Sequence, residues 1–123
     1  MILVDTSVWI DHLRQGDEQL VQLLNRGQVL THPQVIGELA LGSLQNRRTV
    51  LDALQSLPQA TVATDDEVLR FIEANVLAGI GIGYTDAHLL AAVRLTPGSR
   101  LWTRDKRLLA VSTRLGLDHA PAH

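Results

Sequence analysis

The chain opens with Met1-Ile2-Leu3-Val4-Asp5-Thr6-Ser7-Val8-Trp9-Ile10. Four apolar residues run straight into a carboxylate, two hydroxyls follow, and then apolar residues resume. Met1 to Val4 reads as a short buried strand, because the run is brief and bounded by polar residues. Ser7 to Arg14 reads as a helix, with Val8, Trp9, Leu13 and Ile10 on its inner side. Asp5 then stands where a strand ends and a helix begins. Such an acid either caps the helix or holds something at the carboxyl end of a sheet.

The same alternation continues along the chain. A helix is predicted from Asp17 to Arg26, closed by Gly27, and a strand over 28–31. Pro33 suits a first helical turn, and that helix runs to Leu41. Another spans Arg47 to Leu57 and stops before Pro58. Ala60 to Ala63 is predicted as a third strand. Thr64 with Asp65, Asp66 and Glu67 begins a helix to Ala78. Gly79 to Tyr84 (GIGIGY) has neither Walker spacing nor a preceding strand, so it is a loop between helices. Tyr84 to Leu95 is helical, Thr96 to Ser99 turns, Arg100 to Thr103 is a fourth strand, and a last helix opens at Arg104 or Asp105 and runs to Leu115. A short strand near Leu117 and a frayed tail over 120–123 complete the reading. Short strands alternating with helices, without a hairpin signal, predict a single α/β domain over 1–123. Its sheet is mostly parallel, with helices on both faces.

Composition narrows the function. The 123 residues include no cysteine, so disulfides, zinc thiolates and thiol catalysis are excluded. No stretch has the length of a membrane span, and no secretory signal is visible. These features predict a cytoplasmic protein. With a net charge of −2, any nucleic-acid contact must come from local cations. Arg47-Arg48 and the segment carrying Arg100, Arg104, Lys106 and Arg107 are the candidates, and a solvated helix face is the alternative. Asp11 and Asp17 read as solvent-facing.

Four acids fall in telling places. Asp5 and Asp105 follow the first and fourth strands, so parallel central strands would bring them to one rim. Glu38 is the only charged residue between Pro33 and Asn46, and burying it would be costly without a partner or a metal. Gly37 and Gly42 beside it suggest close approach of a backbone or substrate. Asp86 opens an almost wholly apolar helix. Unpaired carboxylates at ~4 Å repel by roughly 4 kcal/mol per pair at an effective dielectric near 20. A shared cleft therefore calls for divalent cations. All-oxygen donors favour Mg²⁺ or Mn²⁺, ions suited to phosphodiester hydrolysis. His12, His32, His88, His119 and His123 show no metal-binding spacing, and Trp9 and Trp102 read as core.

The segments MILVDTSVWIDHLR, VIGEL, TDAHLLAA and LWTRDKRL, in this order over the whole chain, resemble a PIN-domain ribonuclease of the VapC type, the toxin of a toxin–antitoxin pair. The resemblance implies a PIN-like three-layer sandwich and RNA cleavage by a metal-activated water. It implies Asp5, Glu38, Asp86 and Asp105 as catalytic metal ligands for Mg²⁺, with Mn²⁺ as a substitute. Thr6, Ser7 and Thr103 would orient those carboxylates. Apart from the resemblance, Arg104, Lys106 and Arg107 sit beside Asp105, in reach of RNA phosphate. The resemblance further implies a homodimer and a cognate antitoxin whose C-terminal segment covers the active-site groove. Other readings stay open: a housekeeping PIN nuclease, a non-catalytic RNA-binding scaffold, or a receiver domain. The receiver fits poorly, because Thr follows Asp5 and the only lysine is Lys106.

Overall fold

The computed structural model describes residues 1–120. Pro121 to His123, in the predicted frayed tail, lie outside the described residues. Strand β1 (Ile2–Val4) is the middle of a three-stranded parallel sheet, between β2 (Val29–Leu30) and β3 (Arg100–Trp102). Leu3 aligns with Leu30 on one side and Leu101 on the other.

Neighbouring residues on a strand point to opposite faces. Leu3 and Val4 are both fully buried, and so are Leu101 and Trp102 to within a few per cent. Both faces of the sheet are therefore covered, which is what a parallel sheet requires. The cover comes from α1 (Thr6–Gln15), α2 (Glu18–Asn25), α3 (Pro33–Leu41), α4 (Arg47–Gln55), α5 (Asp65–Ala74), α6 (Tyr84–Leu95) and α7 (Lys106–Arg114). Trp9 and Trp102 are core residues as predicted. Helix α6 is the most deeply placed, with every residue from Ala87 to Val93 buried.

The predicted third strand at Ala60–Ala63 does not form. It is reduced to a single bridge between Thr31 and Gln59, held by Thr31 N–H to Pro58 O and Ala60 N–H to Thr31 O. Beyond it the backbone turns to a side chain, with Thr61 N–H donating to Thr96 Oγ1 at 2.9 Å. Helix α5 stops at Ala74 rather than Ala78. The Asn75 side chain binds Phe71 O, Val76 takes a left-handed φ of 54°, and Leu77 turns inward to the core. Helix α4 likewise ends two residues early. The strand expected near Leu117 is one bridge, Leu101 to Asp118.

Three strand ends feed directly into helices. Asp5 stands between β1 and α1, His32 just before α3, and Asp105 just before α7. His32 is fully buried and its Nδ1 accepts from Gln34 N–H at 3.0 Å, capping α3. The ring faces His88 of α6, with centroids 6.2 Å apart. Among the described residues no helix is long and apolar enough to cross a membrane.

Candidate metal centre

Asp5 occupies the N-cap position of α1, yet its side chain accepts no N–H from that helix. The backbone carbonyl does that work, receiving Val8 and Trp9 N–H. The carboxylate is 6% exposed. Its Oδ2 accepts Ser7 Oγ at 2.8 Å and Thr103 Oγ1 at 2.7 Å. Those hydroxyls are held in turn by Arg104 N–H on Ser7 Oγ and Asp105 N–H on Thr103 Oγ1. A charge this buried needs such donors, and both hydroxyls meet one oxygen, Oδ2. The sequence left two uses open for Asp5, and the side-chain cap is the one the geometry removes.

Glu38 departs from its expected setting. It is exposed, so the burial argument drawn from its apolar helix does not hold. Val35 and Leu39 carry the buried face of α3, and Glu38 lies beside it. Its Oε1 accepts Thr6 Oγ1 at 2.8 Å, linking α3 to the start of α1. Gly37 does not serve close packing, since a Cβ there would meet nothing within 4 Å. Gly42 ends the helix, its N–H bonded to Leu39 O. Alongside runs an open groove of about 540 Å³, lined by Ile10, Leu13, Glu38, Leu39 and Leu44 among others.

Asp86 opens α6, with Oδ2 accepting Gly83 N–H at 3.1 Å. Its carboxyl is pushed above the usual range, first by burial. The Gly83 bond opposes this, and the charges of Asp5, Asp105 and Glu38 add to it. These influences place the four acids in one electrostatic neighbourhood. Asp105 differs from Asp5 at the matching junction. Its Oδ1 accepts both Arg107 and Leu108 N–H at 3.0 Å, a full cap for α7.

The bonds named here use one oxygen of each acid, so an all-oxygen donor set remains, and it fits a hard divalent cation. The set is not closed as it stands: among the described residues no three acids or imidazoles are posed to hold a metal. Hydroxyl and amide bonds hold each carboxylate in place, those of Asp5 and Glu38 reaching across elements.

The nearby cations are not equivalent. Arg104 donates to Asp11 Oδ2 at 2.7 Å and also to Asp17 Oδ2, and lies over the Trp102 ring. Bonding by Asp11 holds its guanidinium above its ordinary range, with Asp17 adding to the effect. Asp11 and Asp17 are thus clamps rather than the solvent-facing acids expected, and Asp17 also caps α2 through Leu20 N–H. Nothing in the local sequence signals this, because the partners are about ninety positions apart. Lys106 and Arg107 are exposed, with no carboxylate in ion-pair range among the described residues.

A PIN-domain family model matches residues 2–113. The chain belongs to the PIN-domain family. Within it the chain is of the VapC type. It is 55% identical over 117 residues to "Ribonuclease VapC32" of two Mycobacterium tuberculosis strains, CDC 1551 / Oshkosh and ATCC 25618 / H37Rv, covering 95% of this chain and 94% of theirs. Among solved structures, FitAcB from Neisseria gonorrhoeae aligns with a TM-score of 0.62 over 92% of this PIN chain and 94% of that one. At 20% identity that likeness speaks for the fold alone.

Proposed function

We propose that this protein is a divalent-metal-dependent endoribonuclease acting as the toxin of a toxin–antitoxin pair, a single cytoplasmic domain that works as a homodimer. The observation carrying the reading is Asp86, whose carboxyl is raised by burial and by three further acids from separate elements. The 55% identity to proteins named ribonuclease supports RNA as the substrate. Asp5, Glu38, Asp86 and Asp105 are the metal ligands in this reading, and Mg²⁺ is the ion, with Mn²⁺ able to replace it. When bound, such an ion lowers the pKa of a water and offsets charge gathering on the phosphodiester.

The chain's own residues supply the positioning. Ser7 and Thr103 fix the Asp5 carboxylate through its Oδ2, and Thr6 aims Glu38. Gly83 holds Asp86 at the mouth of α6. Hydrogen bonds of this kind orient ligands and are costly to lose. The open groove beside Glu38, with Ile10 and Leu13 on its wall, offers an antitoxin segment a seat next to that acid.

Cleavage of single-stranded RNA in Mg²⁺ tests the reading. Activity is expected to vanish with excess chelator and to return with added Mg²⁺ or Mn²⁺. Undiminished cleavage in chelator would contradict it.

A further inference from the structure

An RNA strand approaching four carboxylates on a protein of net charge −2 needs a local cation that is not already spent. Arg104 is spent on Asp11 and Asp17. Arg107 is not. Its backbone N–H binds Asp105, while its side chain reaches across to the Gly79–Gly83 loop, the segment whose Gly83 holds Asp86. There its Nη1 meets only a neutral carbonyl, Gly81 O, at 3.5 Å.

Gly81 is shaped for this contact. Its φ is +88°, and a Cβ would lie 2.7 Å from Arg107 Nη1 and 3.2 Å from Cδ. The bare glycine lets the guanidinium lie against the loop between two acid-bearing segments without an ion pair to either acid. Most of its five donors stay available, in the fork geometry that suits phosphate.

We infer that Arg107, seated on Gly81, binds a backbone phosphate of the RNA beside the acid rim, so that the strand enters over the Gly79–Gly83 loop and the start of α7. The inference rests on the ribonuclease reading above. It gives the glycine-rich loop a use as a ledge rather than a phosphate-binding loop of its own.

Steady-state cleavage of single-stranded RNA in Mg²⁺, measured over a series of salt concentrations, tests it. Arg107→Gln keeps a donor for Gly81 O and removes the charge. It is expected to raise KM roughly five- to tenfold, to leave kcat within about twofold, and to reduce the slope of log(1/KM) against log salt by about 0.7, one phosphate contact on a single strand. Arg107→Lys should recover most of that slope, and both variants should melt as the wild type does. An unchanged KM and salt slope would overturn the inference, as would a loss confined to kcat with a lowered melting temperature, which marks a loop anchor. A wild type that cleaves no RNA would overturn the ribonuclease reading itself.

Discussion

The β1–α1 and β3–α7 junctions look alike in sequence: an apolar strand, then an aspartate, then a helix. They use the aspartate differently. At β3–α7, Asp105 spends Oδ1 on two helix N–H groups and is exposed. At β1–α1, Asp5 is buried and bonds none of its helix, because Ser7 and Thr103 reach it first. An acid at a strand end is thus a side-chain cap or free of capping according to which donors surround it, and one of the donors to Asp5 comes from the other junction. Thr103, two residues before Asp105, serves Asp5. The two junctions form one unit, in which Thr103, the residue after β3, supplies a hydroxyl to the acid after β1.

The largest effect should come from separating the two acids by mutation. Asp5→Asn is expected to lower kcat for RNA cleavage on the order of 10³-fold, about 4 kcal/mol of transition-state stabilisation. Asp105→Asn should cost only about tenfold, since that carboxylate is already held by α7. Equal losses would erase the distinction between the junctions.

The third junction, β2–α3, sharpens the contrast, because its cap is His32. Burial holds this imidazole down to about 4, with the neighbouring His88 charge adding to the effect. Its capping Nδ1 is an acceptor only while unprotonated. The folded value lies below the ordinary 6.5, so the unfolded chain binds the extra proton between those values. Stability is therefore full above pH 6.5 and falls as pH drops toward 4, by up to about 3 kcal/mol from this group. Urea denaturation at a series of pH values should show this slope. His32→Asn keeps a good capping residue and should flatten it; an unaltered slope would assign the acid sensitivity to other groups.

Much of this was legible from residue order. Pro33–Leu41 and Tyr84–Leu95 match their predicted spans because proline, an apolar stripe and a glycine boundary agree there. The Ala60–Ala63 strand does not form: a short apolar run does not reveal whether a partner strand lies alongside, and only Gln59 finds one. The end of α5 depends on Asn75 and on Leu77 returning to the core, which is tertiary information. The four acids could be named from the sequence, but their settings could not. Glu38 proved exposed, and the pairing of Arg104 with Asp11 and Asp17 spans most of the chain.

If the four acids form one divalent-cation site, as proposed, Asp5, released from capping, should matter most to it. Titration calorimetry with Mn²⁺ on wild type, Asp5→Asn and Asp105→Asn addresses it without any RNA. Asp5→Asn is expected to weaken Mn²⁺ binding tenfold or more, about 1.4 kcal/mol, with Asp105→Asn losing clearly less and all three proteins folded. Wild-type Mn²⁺ affinity in folded Asp5→Asn would contradict it.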